Sequence, residues 1–156
     1  MSDADAETIR YTADVVVITR DRRLRRLLRR VLRRTCDRRV LLIQRKWPPH
    51  EGTWALPGGH VDRRETSRRA GVRELVEETG VRMDADQLRQ VGVWDRPDRD
   101  PRGRYVTVVY MAVVPVGTPI QAGDDARTAH WWPLDALPKQ LAFDHAEILS
   151  AVGSTY

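Results

Sequence analysis

The sequence predicts an α/β fold, and three observations carry that prediction. β-branched and aliphatic runs of strand length recur along the chain, other stretches carry the 3.6-residue apolar period of a helix, and the two kinds are interleaved. At 156 residues, 41% hydrophobic with five tryptophans, the chain is long enough to bury roughly two-thirds of its unfolded surface in one core. A single domain over 1–156 is the expectation.

Asp14–Ile18 and Val40–Gln44 read as buried strands. Between them, residues 22–37 hold eight arginines and one aspartate, with leucines and valines at i, i+3, i+4, i+7 and i+8, the stripe of an amphipathic helix. Thr19–Leu24 resembles Thr35–Val40 at an offset of 16 residues, so this helix is read as an insertion into a hairpin loop. Lys46–Gly52 is a loop, because Pro48 and Pro49 remove donors. Trp54–Pro57 reads as a brief strand entering a Gly58–Gly59 turn, and Glu65–Thr79 as a helix ended by Gly80. Leu88–Trp94 and Tyr105–Val114 are further strands, the second apolar enough to be central. A polar loop over 95–103 joins them and is a place for function. Gly123–Asp125 is a turn, His130–Trp132 a strand and Phe143–Val152 a closing helix.

The net charge of +5 is local: residues 22–37 carry +7 and the other 140 carry −2. No apolar run approaches the ~20 residues of a membrane span. The acidic start, Met1–Glu7, has no apolar segment behind it, and the one cysteine, Cys36, allows no internal disulfide. A cytoplasmic location is expected. His50, His60, His130 and His145 show no metal-ligand spacing, and a lone cysteine gives no zinc site.

The helix before Gly80 holds Glu74, Glu77 and Glu78, related by i+3 and i+4 and so on one side, with Val72, Leu75 and Val76 opposite. Three like charges repel, and Glu77 and Glu78 also lie at the negative end of the helix dipole. A divalent cation compensates both effects, and Mg²⁺ usually arrives with substrate phosphates.

Gly59, Glu65, Arg73, Glu74, Leu75, Glu77, Glu78, Gly80 and Val81 fill, over 23 residues, each fixed position of the box of the Nudix hydrolases, which this chain therefore resembles. Leu56-Pro57-Gly58 before the box and Trp131–Leu134 near the end are similar to the same family. The resemblance implies a mixed-sheet α/β/α sandwich and hydrolysis of a nucleoside diphosphate linked to another moiety. It also implies Mg²⁺, or Mn²⁺, held by Glu74 and Glu78, with Glu77 as a third ligand or water-orienting group and the Gly58 carbonyl as an extra ligand. Arg73, counted with the three glutamates as catalytic machinery, would pair with Glu65. The general base is either in the box or in a later loop, where Asp124 and Asp125 are candidates and equally ordinary turn formers.

Arg45, at the end of a strand, is a candidate phosphate ligand. Pro97, 16 residues beyond Val81, resembles a feature of the ADP-ribose pyrophosphatase branch, and Asp100-Pro101-Arg102-Gly103 and Phe143-Asp144-His145 are similar to the same branch. Arg45, Gly59, Pro97 and Arg102 are the expected substrate-facing residues. Trp47, Trp54 or Trp94 is available to stack on a base, although Trp54 reads as core. The implied reaction turns ADP-ribose and water into AMP and ribose 5-phosphate. Hydrolysis of oxidised or non-canonical nucleoside triphosphates is the second reading, and nucleotide sensing without turnover the third. Arg22–Arg39, with ten arginines, leaves open packing on the domain, a homodimer contact, or binding to nucleic acid or an anionic membrane.

Overall fold

In the computed structural model of the chain, residues 7–20, 38–123 and 126–155 are described, and they form a mixed seven-stranded sheet with a helix on each face. The strands are β1 (Arg10–Arg20), β2 (Arg39–Arg45), β3 (Trp54–Ala55), β4 (Gly58–His60), β5 (Arg89–Trp94), β6 (Tyr105–Pro115) and β7 (Ala126–Pro133). The helices are α1 (Ser67–Thr79) and α2 (His145–Thr155). β1 and β6 run parallel at the centre, in register from Arg10–Tyr105 to Arg20–Pro115. All other strand pairs are antiparallel: β2 and β4 on β1, β3 and β7 on β2, and β5 on β6.

The two-residue period of the strands divides the core. Ala13, Val15 and Val17 join Leu41, Val108, Tyr110 and Ala112 beneath Ala70 and Leu75 of α1. Val16 and Ile18 join Val40, Leu42, Val109 and Met111 beneath Ile148, Leu149 and Val152 of α2. Each aliphatic side chain removed from water in these layers contributes about 1.5–3 kcal/mol. Gly71 lets α1 lie close on the sheet, since a Cβ there would stand 3.0 Å from Val15 Cγ2.

Several expected boundaries move. Glu65 lies before the helix, because Thr66 is the extended N-cap whose Oγ1 accepts from Arg69 N at 3.3 Å. Gly58 and Gly59 are part of a strand on β1 rather than a turn, with Gly58 opposite Asp14. Phe143 falls outside the closing helix, at φ 53°, and α2 begins at His145. Leu75 is fully buried and Val72 packs at the edge of its cluster, whereas Val76 belongs to neither core layer. The expected helix over 22–37 lies outside the described residues, as do Cys36, Asp124 and Asp125. On either side of that segment β1 and β2 pair antiparallel, Ile18 with Val40, and Thr19 Oγ1 accepts from Arg39 N at 2.9 Å. No described helix is long and apolar enough to cross a membrane.

Candidate active site

Where α1 meets β4, the local chemistry fixes two carboxylates. Gly80 (φ 70°) ends α1 and donates to Val76 O, and Gln121 N and Gly123 N donate to Thr79 O and Glu78 O. These three donors satisfy carbonyls that the last helical turn would leave open, so the turn that carries Glu77 and Glu78 is held from outside. Gly123 must lack a side chain, because a Cβ there would sit 1.6 Å from Glu77 O. Glu78 is buried, and its Oε2 accepts from Gly58 N at 2.9 Å. Gly59 brings β4 against Glu74, whose Oε1 lies 2.4 Å from where a Cβ would be.

Arg73 ties the loop before α1 to the helix. Nε and Nη2 donate to Glu65 Oε1 and Oε2 at 3.1 and 3.0 Å, and Nη2 also donates to His60 O at 2.9 Å. Nη1 donates to Glu74 at 2.8 Å and Glu77 at 3.2 Å. These hydrogen bonds from Arg73 hold the Glu65 carboxyl below the usual range. The same bonds, with that to Glu65 foremost, push the Arg73 guanidinium up.

Glu74 and Glu78 open on a cavity of about 250 Å³ whose other walls are Asp14 and Thr12 of β1, Arg45, Gly58 and Gly59, Arg99, Asp100 and Arg102 of the 95–104 loop, Tyr105, Phe143 and His145. Arg45 and Arg102 both stack on Phe143, with guanidinium carbons 4.8 and 5.6 Å from the ring centre. Burial, and after it the nearby charge of Arg102, pushes the Arg45 guanidinium down, so two partly desolvated cations line the same cavity as Glu74 and Glu78. Arg45 Nε is held by Pro49 O at 2.8 Å, and Arg102 by both oxygens of Asp100.

The structure thus gathers Glu74, Glu78, Gly58, Gly59, Arg45 and Arg102 of the expected site residues in one cavity. Three others stand elsewhere. Glu77 is outside the lining, its side chain 57% exposed and paired with Arg73 four residues before it. At 100° per residue Glu78 lies about 40° from Glu74 around the helix but about 100° from Glu77, so only two of the three carboxylates share the inward direction. Arg73 acts behind the lining, through Glu74 and Glu65. Pro97 is exposed and away from the cavity, and it is Arg99, Asp100 and Arg102 of its loop that reach the wall. Of the tryptophans considered for stacking, Trp54 and Trp94 pack on the α2 layer and Trp47 is exposed.

Asp144 and His145, read in the sequence only as part of Phe143-Asp144-His145, meet Asp14 and Arg99, which the sequence reading did not single out. Arg99 makes a two-pronged buried pair with Asp144, at 2.9 and 2.7 Å, and its Nη2 stands 3.8 Å from Asp14. Asp14 accepts from Thr107 Oγ1 at 2.7 Å. His145 Nδ1 accepts from Leu56 N at 2.9 Å, and burial pushes its pKa down. The signal available for Asp14 was a carboxylate inside an aliphatic run.

A family model described as the NUDIX domain matches residues 24–152. The chain belongs to the NUDIX family. Its NUDIX domain is 47% identical over 113 residues to the ADP-ribose pyrophosphatase of Methanocaldococcus jannaschii, an alignment covering 72% of this chain and 64% of that protein. It is 39% identical over 113 residues to an ADPR responsive transcriptional repressor of Acinetobacter baylyi, covering 70% of this chain and 44% of the repressor. Among solved structures, the NUDIX domain of Shewanella oneidensis NrtR complexed with ADP ribose superposes with a TM-score of 0.80 at 28% identity, covering 99% of this chain and 93% of that one. The chain thus spans less than two thirds of the length of these two sequence relatives.

Among the described residues no cluster of three or more His, Cys, Asp or Glu side chains is arranged as a metal site. Of the carboxylates that line the NUDIX cavity, Glu74 and Glu78 stand one helical turn apart on α1 as hard oxygen donors, and a Mg²⁺ ion that brings water and substrate phosphates with it asks for one or two. The donor set fits such an ion.

Proposed function

We propose that this NUDIX domain, acting as one unit over 1–156, is a pyrophosphohydrolase that splits ADP-ribose into AMP and ribose 5-phosphate with Mg²⁺, or Mn²⁺ in its place. The observation that carries the reading is that Glu74 and Glu78 line one cavity together with Arg45 and Arg102, since a bound diphosphate needs cations on its oxygens, from a metal and from guanidinium groups. The 47% identity to an ADP-ribose pyrophosphatase supports the choice of substrate.

Glu74 and Glu78 would hold the metal, with the Gly58 carbonyl as an extra ligand. The bound ion supplies charge neutralisation on phosphate oxygens and a lowered pKa for an attacking water. Arg73 keeps Glu74 aimed at the cavity while it anchors the preceding loop through Glu65. Arg45 and Arg102 would bind the phosphates. A single cysteine suits a reducing compartment, and the cytoplasm is the location proposed.

Product analysis after incubation with Mg²⁺ and a panel of ADP-ribose, NADH, 8-oxo-dGTP and diadenosine polyphosphates tests the reading, with Glu78→Gln as control. AMP formed chiefly from ADP-ribose and lost in the variant is the expected outcome, and preference for a triphosphate would overturn the substrate. The similarity to an ADPR responsive repressor and to an ADP-ribose-bound NrtR domain favours one second reading, a sensor. Tight binding of ADP-ribose without turnover would establish it.

A further inference from the structure

Beside the carboxylate wall, the cavity presents an acceptor and a donor that nothing described satisfies. Asp14 and His145 are only 7% and 3% exposed, yet both line the cavity. Thr107 donates to Asp14 Oδ2, and the other oxygen, Oδ1, has no hydrogen bond among the described residues. His145 Nδ1 accepts from Leu56 N, so it carries no proton, and in the neutral ring the proton is then on Nε2. That Nε2–H stands 3.9 Å from Asp14 Oδ1, too far for a direct hydrogen bond. Neither atom is sealed off, because the one fully enclosed polar side-chain atom without a partner among the described residues is Trp132 Nε1. Gly58 keeps the approach open: a Cβ there would lie 2.5 Å from Asp14 Oδ1.

A buried donor and a buried acceptor held this close and unpaired are costly, and a single O–H group answers both, since a hydroxyl donates and accepts at once. A carboxylate or phosphate oxygen would meet Asp14 with like charge, and an ammonium would meet the His145 donor. We infer that Asp14 and His145 are specificity-determining residues that together bind a sugar hydroxyl of the ligand. Taking that sugar to be a ribose of a nucleoside-diphosphate sugar rests on the function proposed above. Arg99 serves the pair from behind, holding Asp144, the residue before His145, while standing 3.8 Å from Asp14.

The test is binding rather than turnover. Dissociation constants of ADP-ribose and of its analogues lacking one ribose hydroxyl at a time are measured by calorimetry on the full chain without divalent metal, then repeated with Asp14→Ala. One analogue is expected to bind about tenfold to a hundredfold more weakly than ADP-ribose to the wild type, and to bind like ADP-ribose in the variant. If Asp14→Ala fails to fold, His145→Gln takes its place. Equal affinity for every analogue in the wild type would overturn the inference and leave the pair as a site for a water molecule. So would a loss that persists unchanged in the variants, or the absence of binding by every ligand of the panel. Discrimination of a hydroxyl in binding, with no hydrolysis once Mg²⁺ is added, would overturn the hydrolase reading and leave this one standing.

Discussion

Replacing Arg99 with leucine breaks the most deeply buried of the ion pairs found among the described residues. The Arg99 and Asp144 side chains are 4% and 1% exposed, and two charge-assisted hydrogen bonds at 2.9 and 2.7 Å join them. Removing the cation leaves a carboxylate with almost no access to water and takes a positive charge from 3.8 Å beside Asp14. Breaking a buried pair from one side costs about 3–5 kcal/mol. Against a total of roughly 5–15 kcal/mol that is a large share. For a chain of this size it lowers Tm by about 6–20 °C. Urea unfolding followed by circular dichroism measures the cost. The double variant Arg99→Leu/Asp144→Leu, which removes both charges, is expected to recover part of it. A single-variant loss under about 1 kcal/mol, the scale of an exposed pair, or strictly additive losses in the double variant, would refute the assignment of this pair as a buried strut.

Gly59→Ala places a Cβ 2.4 Å from Glu74 Oε1, the mobile end of a side chain, so unfolding should change by less than about 1 kcal/mol while metal-dependent turnover falls about a hundredfold. Gly123→Ala collides with backbone, at 1.6 Å from Glu77 O, and is expected to destabilise by about 1–3 kcal/mol in the same urea assay. Glu65 titrates below the ordinary carboxylate value of 4.5 when folded, so its contribution is complete above that value and lost as pH falls through the lowered one; Arg73→Met should flatten this acid limb of the Tm–pH curve. Buried His145 refuses a proton that the unfolded chain accepts near 6.5, so stability drops as pH falls below that value, and His145→Gln should remove this slope between pH 7.5 and 5.5.

Much of the site was legible because its parts are near one another in the chain. Glu74 and Glu78 lie one helical turn apart, Arg73 and Glu65 eight residues apart, and Gly58 and Gly59 just before them, so helical geometry and one loop closure suffice. β1, β2 and β6 were equally legible, since β-branched runs between turn residues have few alternatives. Glu77 shows where local geometry stops: the sequence groups it with the other two carboxylates, and only the seating of α1 on the sheet decides that it turns to solvent and Arg73.

What the sequence determined by itself, then, is the helix with its carboxylates, the apolar strands β1, β2, β5 and β6, and the family, because each rests on periodicity and spacing within about 25 residues. Tertiary structure alone decided the second half of the cavity. Asp14 and Thr107 continue the strand rows of Val16 and Val109, as polar ends of an apolar face, and they meet Arg99, Asp144 and His145 only because β1 lies parallel to β6 and α2 starts beneath their ends. Contacts between residues 45 or more positions apart leave no periodic trace in a single sequence. The cost of burying charge makes the group hold together once the fold has assembled it.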